Sequence, residues 1–305
     1  MPEETTIHII AGPTASGKSA RAMEIAKELD GVIINCDSQQ IYDGLPILTA
    51  QPSEEDKAKI PHKLYAALDP NEVCSAGHWR EIAEPLIEET LAQSRTPIIC
   101  GGTGLYIKAL IDGLSPMPDI PEDVRARAIE MHENWPIEDI FAAVESRDPV
   151  MAERLDSQNR ARLIRAWEVF EATGKSLAVW QELPRQKPPA HWHFEIHKVL
   201  PAREELYRRC NERFEIMLQN GAFEETAAFG EKIERGEVKQ GAPLTKALGF
   251  PQLWNYIRLK SEQGQTSITW NSAQNDPEFA PFLSEAQAQT RHYAKRQNTW
   301  FTNQL

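Results

Sequence analysis

Residues 12–19 read GPTASGKS, and Gly12, Gly17, Lys18 and Ser19 meet the spacing G-x-x-x-x-G-K-[ST]. The octet follows an apolar run, Ile7–Ala11, and precedes a helical pattern from Ala20 to Leu29. Strand, glycine-rich turn and helix is the setting that a phosphate-binding P-loop requires. The glycines let the backbone turn its N–H groups inward toward phosphate oxygens, and the helix adds its positive end. Gly12, Pro13, Thr14, Ala15, Ser16, Gly17, Lys18 and Ser19 are therefore the candidates for binding a diphosphate or a nucleotide such as ATP. Lys18 supplies a point charge for the phosphates, and Ser19 a hydroxyl for Mg²⁺, the one cofactor expected. The bland alternative is a glycine turn that only reverses the chain.

The surrounding pattern sets the fold class. Val32–Cys36, Pro97–Cys100 and Trp192–Leu200 are further strand candidates. Short continuous Val/Ile runs suit a parallel sheet buried on both faces, with helices as crossovers. Functional loops then gather at the carboxyl ends of the strands. Pro-rich stretches at 114–121 and 184–189 bracket a segment with only helical periodicity. The expected architecture is an α/β core, residues 1–118 and 191–305, interrupted by an all-helical insertion, residues 119–190. The second core part ends in a basic helix. A polar stretch from Gln265 to Pro281 has no obvious place in this scheme.

Composition narrows the class. A chain of 305 residues with 41% hydrophobic residues can bury a substantial core. The net charge of -12 disfavours nucleic-acid binding through bulk electrostatics, so any such binding needs a local basic face. No apolar run is long enough to span a membrane, and no signal peptide is recognisable. The four cysteines form no C-x-x-C pair, and Cys36 and Cys100 read as small core residues. The expectation is a soluble, reduced, cytoplasmic protein, and a monomer.

Outside the octet each candidate has two readings. Asp37 follows the second strand, where a carboxylate can hold Mg²⁺ or act as a general base, or can cap a helix. Thr103 follows Gly101-Gly102 at the end of the third strand, where its hydroxyl can touch a reacting group or cap the next helix. Arg160, Arg162 and Arg165 can grip phosphates or form a solvated face. Arg291-His292-Tyr293-Ala294-Lys295-Arg296-Gln297 suits RNA phosphates and stacked bases, or is a charged helix surface. His191, His193 and His197 alternate along a strand and read as an exposed face rather than a metal site, with no ligand spacing completed by Cys or a carboxylate.

GPTASGKS, DSQQIY (Asp37–Tyr42), GGTGLY (Gly101–Tyr106) and TRHYAKRQ (Thr290–Gln297), in this order, resemble the tRNA dimethylallyltransferase family, also called isopentenyl-tRNA transferase. The resemblance spans nearly the whole chain. It implies a P-loop NTPase-like core with a helical insertion. It also implies transfer of a dimethylallyl group from dimethylallyl diphosphate to N6 of the adenosine 3′ to the tRNA anticodon. On that reading Asp37 is the base, Lys18 and Mg²⁺ stabilise the leaving diphosphate, and Thr103 lies at the reaction centre. Asp37, Ser38, Gln39, Gln40, Thr103, Arg125, Ala161, Arg162, Leu163, Ile164 and Arg165 match positions that contact tRNA or the reaction centre. Lys246, Arg291, Lys295, Arg296 and Gln297 are further candidates for tRNA contact. The chain departs from the family pattern at Gln158-Asn159, where Asn-Asp is usual, and around Gly249-Phe250, where the family favours arginines: Lys246 keeps one charge without the bidentate fork, and Pro251 loses the other. A small-molecule kinase using the same P-loop is the alternative enzyme, and an RNA-binding nucleotide switch the non-enzymatic one.

Overall fold

The computed structural model describes residues 5–265 and 267–305. Five parallel strands, β1 (Thr5–Ala11), β2 (Gly31–Asn35), β3 (His62–Lys63), β4 (Thr96–Gly101) and β5 (Trp192–Lys198), form one sheet in the order β3-β2-β4-β1-β5. Four of these strands lie where the apolar runs predict them. β3 spans two residues at an edge, too short to leave a periodicity in the sequence.

The buried isoleucines explain why these runs become central strands. Ile7, Ile9, Ile10, Ile33, Ile34, Ile98 and Ile99 are all essentially inaccessible. Each stabilises the sheet by about 1.5–3 kcal/mol relative to exposure. The helix Lys18–Glu28 covers one face, packing Ala22, Ile25 and Ala26 against Ile10, Ile33 and Ile98. The other face packs on a larger core that includes Trp79, Tyr106 and Leu110. With every strand parallel, the loops after β1, β2 and β4 leave the sheet at the same edge. They carry GPTASGKS, Asp37 and Gly101–Thr103.

The chain divides into two compact units, one running to Ile111 and resuming at Pro189–Leu305, the other Asp112–Pro188. The division falls somewhat earlier in the chain at each end than the Pro-rich stretches suggest. Leu114 pairs with Gln186 in an isolated antiparallel bridge, so both connecting segments belong to the helical unit. That unit has its own core, built on Met131, Ile140, Val144, Leu163 and Trp167. Its buried Asp148 accepts hydrogen bonds from the backbone N–H groups of Met151 and Leu177.

The described part of the polar stretch 265–281 also finds its reason. Asp276 accepts a hydrogen bond from the Tyr256 hydroxyl (2.8 Å) and pairs with the buried Lys260, which also pairs with Glu278. These bonds hold the Asp276 carboxyl down to about 2. The segment is thus tied to the long helix Phe250–Glu262 through its charges.

Gly101 sits where β4 passes the end of β2. A Cβ there would lie 1.9 Å from the carbonyl oxygen of Cys36. Its φ is not in the left-handed region, so the obstacle is collision with backbone, which cannot swing aside. Gly101→Ala is expected to destabilise the protein by at least the ~1–3 kcal/mol of overpacking, read as a lower urea midpoint. An unchanged midpoint would show that β2 and β4 can part there freely.

Candidate active site

The P-loop is bent by two residues of positive φ, Ala15 (60°) and Gly17 (94°). The left-handed alanine costs about 1–3 kcal/mol and marks a backbone held for a purpose. The Ser16 N–H donates to the Pro13 carbonyl (3.2 Å), and the Lys18 N–H to Ser16 Oγ (3.3 Å). The Lys18 ammonium folds back onto the Pro13 carbonyl (3.3 Å). Ser19 stays exposed beside an open cleft that Ala15 to Ser19 also line.

Asp37 ends β2 in an Asx turn: its Oδ1 accepts from the Gln39 N–H (3.0 Å), and its own N–H donates to Asn35 Oδ1 (2.9 Å). The residues after it form turns rather than a helix, so Asp37 is not a helix cap. Oδ2 accepts no hydrogen bond from the described residues and is free for a ligand. Thr103 does not use its side chain to cap its helix either. Its Oγ1 accepts from the Ser38 N–H (2.9 Å), and its N–H donates to the Cys36 carbonyl (3.1 Å). Gln40 donates both amide hydrogens inward, to the carbonyls of Thr49 and Ala50. Gln39 differs: its Oε1 is buried with no hydrogen-bond donor.

Gln297 joins the pieces. Its Oε1 accepts from the Thr14 N–H (2.8 Å), and its Nε2 donates to the Gly102 carbonyl (2.8 Å). It is buried, so both polar atoms are committed to the protein itself.

The helix Arg203–Gln219 brings two arginines that sequence reasoning missed. Arg209 donates to the Ser16 carbonyl (3.0 Å) and pairs with Glu205. Arg213 lines an inner cavity together with Lys18 and Asp37. Ala15, Lys18, Gln40 and Arg213 line both this cavity and the open cleft beside the P-loop. Burial lowers the Lys18 ammonium and the Arg213 guanidinium from their ordinary values, and the nearby Asp37 carboxylate opposes the shift in both. Burial also pushes the Cys100 thiol up to about 11 and the Tyr65 phenol well up, so both stay neutral. Only the spacing of Arg209 and Arg213, one helical turn apart, hinted at a shared face.

The basic run lies on the helix Ala280–Gln304. Thr290, Ala294, Gln297 and Phe301 face the core, leaving His292, Lys295 and Arg296 exposed. Arg291 instead donates to Asn211 (2.7 Å). Arg296 stacks over Tyr293, 5.6 Å from the ring centroid. Lys246, Gln39, Tyr293 and Arg296 border one surface cleft, and Gln39, Leu248 and Tyr293 border both that cleft and the inner cavity. The basic surface cleft and the cavity that Asp37 lines are therefore neighbours in this unit.

In the helical unit, Arg125, Ala161 and Arg162 are exposed, and Arg165 is half-buried beside Glu168 (3.2 Å). Leu163 and Ile164, expected with their neighbours to contact tRNA, place their side chains in the core of the unit, on the buried face of the helix Arg160–Thr173. Arg160 is likewise structural, donating to the carbonyls of Met131, His132 and Trp135. The alternating histidines also differ from a plain exposed face: His197 meets His8 of β1 and Glu195.

The chain matches the family model described as IPP transferase over residues 40–304 and that described as Isopentenyl transferase over residues 5–67. It is 43% identical over 298 residues to the tRNA dimethylallyltransferase of Paramagnetospirillum magneticum, covering 97% of this chain and 88% of that protein. It is 40% identical to the enzyme of the same name from Rhodospirillum centenum, covering 100% of this chain and 91% of that one. Among solved structures it resembles the tRNA isopentenylpyrophosphate transferase of Bacillus halodurans (TM-score 0.61, 28% identity, 99% of this chain and 88% of that one). It also shares its fold with a eukaryotic dimethylallyltransferase acting on tRNA (TM-score 0.75, 22% identity, 97% of this chain and 69% of that one). None of the similarities points to a kinase.

If Arg213 belongs to the anion site, Arg213→Gln weakens inorganic diphosphate binding by roughly tenfold or more, the worth of one charge-assisted hydrogen bond. Arg208→Gln, on the exposed side of the same helix and paired with Glu205 and Glu212, leaves it unchanged. Calorimetric titration separates the two. Equal affinities would remove Arg213 from the site.

Proposed function

The chain belongs to the tRNA dimethylallyltransferase (IPP transferase) family, and from that membership we propose that it transfers a dimethylallyl group from dimethylallyl diphosphate to N6 of the adenosine 3′ to a tRNA anticodon, releasing diphosphate. The observation that carries this reading is the inner cavity, where Lys18 of the P-loop and the Asp37 carboxylate line one enclosure, and Gln39, Leu248 and Tyr293 border both it and the basic cleft.

The chemistry requires both. The N6 lone pair forms a bond to C1 of the dimethylallyl group as the C1–O bond breaks. The bonding electrons leave with the diphosphate, and the amine must lose a proton. Asp37 Oδ2, free of internal partners, is the acceptor for that proton. Lys18, Arg213 and the P-loop N–H groups hold the diphosphate and offset its growing negative charge. The buried Gln39 Oε1 is an acceptor in want of a donor, and the second N6 hydrogen is a donor of the right kind. A base reaching this cavity leaves its stack, and Tyr293 and Arg296 at the border offer stacking and charge in its place.

Mg²⁺ fits the residues present. Ser19 offers a hard oxygen at the exposed head of the P-loop helix, and Mg²⁺ binds through one or two protein oxygens with waters and phosphate completing its shell. When bound, it supplies further neutralisation of the leaving diphosphate. We read the reaction as cytoplasmic and the enzyme as a monomer. No helix among the described residues is long and apolar enough to cross a membrane.

Asp37→Asn keeps the shape of the Asx turn but removes the base. It is expected to retain tRNA affinity and lose ~10²–10⁴ in turnover, measured by mass spectrometry of tRNA nucleosides after incubation with the donor. Full turnover by the variant would exclude Asp37 as the base, and no prenylated adenosine from the wild-type protein would sink the reading as a whole. Arg296→Ala should weaken tRNA binding across sequences and lower the slope of log affinity against log salt by about 1. An unaltered slope would make the exposed basic stripe an ordinary solvated surface.

A further inference from the structure

Prenyl transfer leaves one cluster of ligand-bearing side chains unused. β5 is the edge strand, and it pairs with β1 residue for residue from Thr5↔Trp192 to Ala11↔Lys198. That register sets His8 directly beside Glu195, with His197 two residues further on and on the same face of β5. His8 Nδ1 lies 3.1 Å from His197 Nε2, and the two rings stack with centroids 5.4 Å apart. His197 Nε2 lies 3.2 Å from Glu195 Oε1, and His8 Nδ1 lies 3.7 Å from Glu195 Oε2. Among the described residues this is the only group of three or more His, Cys, Asp or Glu whose ligand atoms converge this closely.

We propose that His8, His197 and Glu195 form a binding site for a zinc-class divalent cation, with water in the fourth position. The distances are the first argument. A tetrahedral ion with bonds of about 2.0–2.1 Å sets its donors about 3.3–3.4 Å apart; the two imidazole nitrogens stand 3.1 Å apart, and each has one oxygen of the Glu195 carboxylate at 3.2 Å (Oε1 to His197) or 3.7 Å (Oε2 to His8), so a small carboxylate rotation brings one oxygen to both. The ligand set is the second. Two imidazoles and a carboxylate suit zinc, cobalt or nickel rather than Mg²⁺, which takes oxygen. The third is organisation. The parallel ladder holds two of the three residues in register, and the burial of His8 fixes its ring before any ion arrives. A bound ion would staple the edge strand to β1, the strand that ends in the P-loop.

The test uses the whole protein, stripped with chelator and kept in excess Mg²⁺ to occupy the oxygen site. Co²⁺ is expected to bind at one saturable equivalent, with the intense visible absorption of four-coordinate cobalt, and to be displaced by Zn²⁺. Zn²⁺ at a hundredfold excess over its Kd should raise the melting temperature by about 5 °C. Glu195→Gln and His197→Gln change side chains that are at least partly exposed, so metal-free melting stays near wild type. Both should weaken Co²⁺ binding at least about tenfold and, at the same Zn²⁺ concentration, cut the melting shift to about half or less. Absence of saturable Co²⁺ binding to the wild-type protein overturns the proposal, as does Co²⁺ binding equally tight in both variants. Neither result bears on prenyl transfer.

Discussion

Two buried cations facing one carboxylate govern the electrostatics of this protein. Lys18 and Arg213 are both desolvated, and both have Asp37 as their principal compensating charge. The neighbouring groups cannot help, because burial keeps Cys36, Cys100 and Tyr65 protonated and neutral. The enclosure therefore holds more positive than negative charge. An unpaired buried charge is costly, and the cost falls when an anion enters. A diphosphate is an anion of the right size for a P-loop. The same arrangement sets the Asp37 carboxylate beside both cations, on the wall of the cavity that the anion would enter.

This charge pattern exists only if three loops from three strands are held together, and one side-chain amide does much of the holding. Gln297 reaches from the long helix Ala280–Gln304 to the Thr14 N–H and the Gly102 carbonyl at once. Thr103 ties the same loop to Ser38, next to the base. The glycines that follow β4 are required by these approaches: a Cβ on Gly102 would lie 2.5 Å from the Gln297 amide, and one on Gly104 would lie 2.3 Å from the Trp300 ring. The long helix thus contributes its inner face to assembling the site and its outer face to the basic surface.

That division explains what could be read from the chain and what could not. The P-loop and Asp37 were legible because each is a contiguous motif at the end of an apolar run, and a parallel sheet sends such ends to one edge. Four strands were legible for the same reason. Arg213 and Arg209 were not, since they lie in an ordinary charged helix and gain meaning only when that helix packs beside Ser16. Gln297 is expected from the sequence, with the rest of the basic run, to contact tRNA; the helical period turns it inward, where its amide bonds Thr14 and Gly102. Leu163 and Ile164 were carried along with the arginines around them, although an apolar pair beside Ala166 and Trp167 is the core stripe of that helix. His8 lacked any local signal, because its partners are 187 and 189 residues away and the strand register alone brings them together.

The acidic composition does not conflict with an RNA substrate. A net charge of -12 is a sum over the whole surface, whereas exposed charges farther apart than about 8 Å are largely screened at physiological salt. What an approaching phosphate meets is local. Many of the acids are already occupied: Glu205 and Glu212 pair with Arg208, Glu171 with Arg127 and Arg147, Asp276 and Glu278 with Lys260. Lys295 and Arg296, by contrast, project from the long helix, with Arg296 engaged only by the face of Tyr293 among its aromatic neighbours. The border residues Lys246 and Arg296 add like charge on opposite segments of one cleft, and that cleft borders the cavity that holds the surplus of positive charge. On the function proposed above, a polyanion would meet Lys246 and Arg296 at the rim, while the diphosphate would face the surplus of cations formed by Lys18 and Arg213 within, so the two substrates would draw on different cations.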